Sequence, residues 1–329
     1  MRDTGKTQDT AWQDAATPQF KRHGVPDFFL DCVVALGSED STETIVWNAS
    51  GFLYGHPVRV NKKTGSVGYQ VYLVTNRHVF TDVKRMFVRC NPRGHQPARE
   101  FLLELVDTHG HPRWLTHARA SIDVAVIPIN FPLLREHASA VKFFVADRDA
   151  APRARWRDLA VAEGNQVYVL GFPMGLVGGR RNTVIVRSGA LARVHDTIED
   201  RSSEFLVDVF VFPGNSGGPI LLSRDDGPPL LIGLIRAYVP YQDVAISLQT
   251  QSPRVIFEEN SGLASAHPID CVTATIRRHR RLRPTGAGKS PTKPAARSAK
   301  PSESGTPRTP PRKPRQKPVP PSRKRQPPA

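Results

Sequence analysis

A serine in a glycine-rich loop is the residue of this sequence best suited to chemistry. Ser216 lies in the run Phe212-Pro213-Gly214-Asn215-Ser216-Gly217-Gly218-Pro219, between apolar runs at 205–212 and 220–222. The apolar runs predict strands, and glycine permits the sharp turn that would join them. Such a loop can present the Ser216 hydroxyl and aim the backbone N–H groups of Gly214 and Ser216 at one point. A nucleophile beside an oxyanion hole is one interpretation, and a plain hairpin turn is the other.

Two further residues supply what a serine nucleophile needs. The hydroxyl reacts well when a base takes its proton, and a carboxylate should orient that base. His78 follows an apolar run at 71–74, and Asp123 precedes another at 124–129. We therefore interpret His78 as the general base and Asp123 as the orienting carboxylate. The alternatives are a structural histidine and an aspartate that caps a strand.

The three motifs together resemble a known family. Thr75-Asn76-Arg77-His78-Val79, Asp123-Val124-Ala125-Val126-Ile127 and Gly214-Asn215-Ser216-Gly217-Gly218-Pro219 occur in the order His, Asp, Ser, as in the trypsin-like serine peptidases. They are most similar to the bacterial HtrA-like branch, and the resemblance covers roughly residues 28 to 280. It implies a serine endopeptidase that forms an acyl-enzyme, with Gly214 and Ser216 as the oxyanion hole.

The resemblance also implies a substrate pocket. In the family, the residue six positions before the nucleophile lies at the pocket base, and here it is Phe210. The pocket walls are matched by Arg236, Ala237 and Tyr238. Because no carboxylate occupies the base position, a buried Lys or Arg side chain of the substrate would lack a counter-charge. We therefore expect cleavage after small or medium apolar residues.

Short apolar runs, frequent Gly and Pro, and no long helical period predict an all-β fold. The family resemblance implies two six-stranded-type antiparallel barrels of the trypsin-like fold, so we predict a peptidase domain at 28–283 with its barrels at about 28–135 and 160–262. A short helix should follow at about 268–281, and the polar residues 1–27 predict a flexible arm. Within the second barrel we expect separate short strands at 230–238 and 254–257, with a turn at 260–262.

The formal net charge of +16 lies in the carboxyl-terminal segment. From Arg277 to Ala329 there are 17 of the 46 basic residues but one of the 30 acidic residues, which leaves 29 of each elsewhere. Residues 284–329 are rich in Pro, Lys and Arg and lack aromatic residues, so we predict a disordered tail. It would leave no room for the PDZ domain that many HtrA-like enzymes carry.

This basic tail raises a second hypothesis for the whole chain. Lys and Arg side chains bind phosphates, so the tail could bind nucleic acid or another polyanion without sequence preference. The chain would then be a peptidase-like binding module that its tail recruits to polyanions or partner proteins. Alternatively, the tail only increases solubility and binds no partner.

Other compositional features point away from cofactors and membranes. The three cysteines, Cys32, Cys90 and Cys271, have neither disulfide-framework nor zinc-site spacing, and we interpret the pair His109 and His111 as a polar surface loop. The first 27 residues show no signal-peptide core, and no apolar run reaches the ~18 residues of a membrane helix. We expect a cytoplasmic protein that uses no metal or cofactor and acts on polypeptides.

Overall fold

The computed structural model describes residues 24–138, 140–282 and 296–297. These residues all lie within one compact unit, Met1–Ala299. The predicted tail, apart from Ala296–Arg297, and most of the predicted amino-terminal arm therefore lie outside the described part of the chain.

The amino-terminal half is a largely antiparallel sheet. Its strands are β1 Val33–Glu39, β2 Ile45–Val60, β3 Val67–Thr75, β4 Arg85–Cys90, β5 Arg99–Glu104, β6 Leu115–Thr116, β7 Ala125–Pro128 and β8 Phe144–Val145. The order is β5-β4-β1-β2-β3-β7-β6, with β8 parallel to β2 and Ala296–Arg297 added beside β5. The segments next to the loops that carry His78 and Asp123, β3 and β7, pair directly, with Thr75 opposite Ala125.

The carboxyl-terminal half is a closed six-stranded barrel. Its strands are β9 Gln166–Gly171, β10 Ile185–Arg193, β11 Phe205–Asp208, β12 Pro219–Leu222, β13 Leu230–Ile246 and β14 Pro253–Pro268. They close in the order β10-β11-β14-β13-β12-β9. The predicted all-β, trypsin-like architecture is confirmed, with the first sheet open and the second closed.

Helices are short. They are α1 Asp27–Leu30, α2 Arg77–Phe80, α3 Phe131–His137, α4 His195–Ile198 and α5 Ile269–Leu282, with 3₁₀ turns at Arg153–Arg155 and Pro173–Gly175. The predicted carboxyl-terminal helix is confirmed as α5, which buries Ile269, Val272 and Ile276 in a core shared by both halves. In the described part of the chain, none of the helices has the length and apolar character needed to cross a membrane.

The second barrel differs from the sequence prediction at one point. β13 continues to Ile246 and pairs with β14 from Pro253, so the chain reverses at 247–252 instead of 260–262. Polar and apolar residues alternate irregularly in both strands, which hides the period of two that marks a strand in sequence. The separate strands expected at 230–238 and 254–257 are therefore parts of one long hairpin.

Candidate active site

His78 leaves the end of β3 in a one-turn helix. α2 begins at Arg77, and its residues Val79 and Phe80 are buried, whereas the His78 side chain is 52% exposed. Asp123 lies just before β7, between the buried residues Ile122 and Val124. The structure brings the two predicted residues together: His78 Nδ1 lies 2.6 Å from Asp123 Oδ2, and the His78 backbone N–H donates to Asp123 Oδ1 at 3.0 Å.

The surroundings of Asp123 favour its ionised form. Burial by itself would raise the pKa of Asp123, but the hydrogen bonds and positive charge of His78 outweigh it and hold that pKa below 3.8. An ionised carboxylate only accepts hydrogen bonds, so the proton between the two groups belongs to Nδ1 of His78. Nε2 of His78 is then the nitrogen left to accept a proton from a nucleophile.

Two residues form hydrogen bonds with the backbone of Asp123, and neither is among the site residues predicted from the sequence. The Asp123 backbone N–H donates to Nε2 of His267 at 3.0 Å, and Asn76 Nδ2 donates to the Asp123 carbonyl oxygen at 2.8 Å. His267 is fully buried, and its burial lowers the pKa of its ring below 6.5, which suits an imidazole that accepts a hydrogen bond. Asn76 lies within the sequence motif around His78. No motif in the sequence around His267 indicates a contact with Asp123.

The Ser216 loop depends on glycine at position 214. Gly214 has a φ of +101°, and a Cβ atom there would collide with the carbonyl oxygen of Phe172. The loop is closed by Asn215, whose Oδ1 accepts from the Phe212 backbone N–H at 3.0 Å. Met174 N–H donates to the Pro213 carbonyl at 2.6 Å, so the 172–175 turn supports the loop from outside.

The backbone N–H groups of this loop divide into two sets. Those of Asn215, Gly217 and Gly218 donate to carbonyl oxygens within the protein. Those of Gly214 and Ser216, the two predicted oxyanion donors, donate to no other group in the described residues. Because unpaired backbone N–H groups are uncommon in folded proteins, this pair is well suited to an oxygen anion.

Ser50 of β2 joins the serine loop to the strand that leads to His78. Its Oγ donates to the Gly214 carbonyl at 2.6 Å, and its N–H donates to the Ser216 carbonyl at 2.9 Å. Its own carbonyl accepts from Thr75 Oγ1 at 2.8 Å, three residues before His78. These bonds hold the two motifs against one another across the two halves of the chain.

One contact of the predicted triad, the hydrogen bond between Ser216 and His78, is not formed in the described structure. Among the described residues, no hydrogen bond joins Ser216 Oγ to His78. In the absence of substrate, hydrogen bonds between catalytic groups are often long or poorly aligned, and they tighten when substrate binds.

Comparison with known proteins assigns the family. Residues 49–232 match the family model for the trypsin-like peptidase domain. This chain belongs to that family. A search of curated proteins finds no match. Among solved structures, the crystal structure of the apo MamO protease domain from Magnetospirillum magneticum is 15% identical, with a TM-score of 0.43, over 75% of this chain and 96% of that one.

The four residues that the resemblance places in a substrate pocket lie around the base of the β13–β14 hairpin. The Phe210 ring lies over Gly262 and is exposed. Arg236 Nη1 forms an ion pair with Glu204 at 2.8 Å, and Ala237 pairs with Ser265 across the hairpin. Tyr238 packs against the barrel core and its hydroxyl donates to Glu258 at 2.5 Å. The side chains of Arg236 and Tyr238 therefore already have partners within the protein, Glu204 and Glu258.

Proposed function

We propose that this trypsin-like domain is a serine endopeptidase of the HtrA-like type. Ser216 Oγ attacks the substrate carbonyl carbon while His78 Nε2 takes its proton, and the N–H groups of Gly214 and Ser216 bind the resulting oxyanion. His78 then gives the proton to the leaving amine, which releases the first product. Water, activated by the same histidine, hydrolyses the acyl-enzyme.

One observation carries this proposal: the ionised Asp123 holds His78 by two hydrogen bonds, on its ring and on its backbone. A general base needs a fixed tautomer and a nearby negative charge to stabilise its protonated form. The N–H groups of Gly214 and Ser216, which donate to no group in the described part of the chain, support the proposed oxyanion hole. A histidine with a purely structural role would need neither the paired carboxylate nor the nearby N–H groups.

The proposal extends to specificity. Phe210 stands where a basic-specific relative would carry a carboxylate, and the charge of Arg236 is already matched by Glu204. We infer cleavage after small or medium apolar residues. Mapping of cleavage sites on an unfolded protein tests this, and a clear preference for Lys or Arg before the cut bond would contradict it.

Labelling with a fluorophosphonate probe tests the reaction itself. The wild-type protein should be labelled and should cleave peptides, whereas Ser216→Ala should lose labelling and nearly all cleavage while remaining folded. Residual catalysis of ~10³–10⁴-fold over water is typical without the nucleophile. Ser223→Ala, which removes a hydroxyl from the loop after β12, is the matched control and should behave as wild type. Undiminished cleavage by Ser216→Ala would overturn the assignment, and an unlabelled, inactive wild type would favour the binding module instead.

A further inference from the structure

The β13–β14 hairpin projects beyond the barrel as a two-stranded arm, which we define as residues 240–260. β13 pairs with β12 only through Leu234, and β14 pairs with β11 only from Leu263 onward. Past these points the two strands pair with each other, from Pro240 opposite Asn260 to Ile246 opposite Pro253. No other strand of the described chain pairs with the outer edge of either one.

The arm exposes apolar side chains on both faces. Seven large apolar residues in it are between 42% and 91% exposed: Tyr241, Val244, Ile246, Leu248, Val255, Ile256 and Phe257. Cross-strand pairing places Val244 and Ile256 on one face, and Phe257 on the other. Two-stranded hairpins are marginal in water without further packing, and contiguous exposed apolar surface marks an interaction site.

The free edge of β13 begins beside the candidate active site. The Gly217 N–H donates to the Ile235 carbonyl, and the Ile235 N–H donates to the Gly218 carbonyl, so Ile235 is bonded to the residues that follow Ser216. From there the unpaired edge runs to Ile246, a span of roughly 37 Å at ~3.4 Å per residue. At the base of the arm, Asn260 Nδ2 donates to the Val211 carbonyl at 2.6 Å, which anchors the arm to the segment before the serine loop.

We propose that the arm is a second polypeptide-binding surface, on which an extended apolar stretch of the substrate adds as a third strand along the outer edge of β13. This inference rests on the proposed peptidase function. Main-chain hydrogen bonds would supply affinity, and apolar substrate side chains would cover residues such as Tyr241 and Val244. The free edge leads away from Ser216, so one polypeptide can occupy both the active site and the arm.

The charge of the arm and the composition of the tail limit which polypeptide can bind to the arm. Asp243, Glu258 and Glu259 outnumber Arg254 in the arm, so acidic segments should bind poorly. The chain's own residues from 284 onward are rich in proline, which cannot donate to a sheet edge, and poor in large apolar side chains. An apolar, non-acidic stretch of substrate therefore fits the surface better than the tail does.

A peptide-length series tests the inference. The short peptide spans only a mapped cleavage site; the long peptides extend it by about ten Val, Ile and Thr residues on the amino or the carboxyl side. For wild type, kcat/KM should be at least about tenfold higher for one of the two long peptides, the effect of one well-buried apolar contact. Equal values for all three peptides would overturn the proposal.

Two variants test whether the higher kcat/KM of the long peptide depends on the arm. Val244→Asp should bring the ratio of long-peptide to short-peptide kcat/KM close to one. So should replacing residues 242–258 by Asn-Gly, which closes the facing residues Tyr241 and Glu259 with a two-residue turn. The matched control is Val60→Asp, because Val60 is also an exposed strand valine, at 60%, on the β2–β3 hairpin. A ratio unchanged in both arm variants would contradict the proposal.

Binding measured without catalysis separates this inference from the proposed reaction. In the Ser216→Ala background, fluorescence anisotropy of a labelled peptide made only of the ten-residue Val, Ile and Thr extension, which requires no mapped cleavage site, should show at least tenfold weaker binding when Val244→Asp is added. That result supports the arm even if no hydrolysis is ever detected. Sedimentation that shows an arm-dependent dimer, with binding of this peptide unaffected by Val244→Asp, would instead make the arm an interface between copies and overturn the proposal.

Discussion

The Asp123 carboxylate binds His78 with both of its oxygens, one on ring Nδ1 at 2.6 Å and one on the backbone N–H at 3.0 Å. The first bond sets the rotation and tautomer of the ring. The second fixes the start of α2, the helix that carries the ring. One carboxylate therefore positions both the side chain and the backbone of His78.

Because both oxygens of Asp123 contact His78, replacing the carboxylate by an amide of the same shape should have a large effect on kcat. Asp123→Asn should lower kcat by roughly 10⁴-fold, the loss typical when the carboxylate of such a triad becomes an amide and the wrong histidine tautomer is favoured. The fold should persist, as circular dichroism can show. Asp82→Asn, at an exposed aspartate four residues after His78, serves as the control and should keep full activity. Equal losses in both variants would argue against Asp123 as the orienting group.

Gly214 predicts a loss of both stability and rate. Gly214→Ala puts a Cβ on a residue at φ +101° and against the Phe172 carbonyl. We expect destabilisation of ~1–3 kcal/mol in urea unfolding and, since one oxyanion donor is displaced, a fall of ~10²–10³-fold in kcat. Gly179→Ala is the matched control, because a Cβ at Gly179 meets nothing within 4 Å. A fully active Gly214→Ala protein would show that this N–H does not bind the oxyanion.

Buried His267 predicts how stability varies with pH. Its folded-state pKa is lowered below 6.5 by burial, so on acidification the unfolded chain takes up the proton first. Its contribution to stability is complete above pH 6.5 and is lost as pH falls from 6.5 toward the folded-state pKa. His267→Gln, which can still accept the Asp123 N–H, should flatten the unfolding free energy between pH 7.5 and 5.5. Exposed His109→Gln should not, and an unchanged slope in the His267 variant would contradict the assignment.

The charge distribution predicts the outcome of truncation. Removing the residues after Arg283 should leave peptide hydrolysis unchanged and weaken binding to heparin or DNA at low salt, because the net charge lies in the Arg277–Ala329 segment. Retention on a heparin column at matched ionic strength measures this. Equal retention of the truncated and full-length proteins would place the polyanion site elsewhere.

What the sequence could predict depended on how local each signal is. His78, Asp123 and Ser216 each stand in a short motif beside an apolar strand, so the candidate site and the all-β fold could be predicted from neighbouring residues. The contact between His267 and Asp123 joins positions 144 residues apart, and no pattern around His267 marks it. The arm was missed for another reason: both its faces mix polar and apolar residues, so it lacks the alternation of a half-buried strand.

The hydrogen bond from Ser50 to Gly214 joins positions 164 residues apart, and that separation has a consequence in time. At a synthesis rate of ~5–20 residues per second, the ribosome needs about 10–30 s to travel from one to the other. Once residue 123 has been added, the nascent chain contains both His78 and Asp123, but it still has no serine loop for Ser50 to contact. Under the proposed function, hydrolysis would therefore become possible only after translation has passed the serine loop and the second barrel.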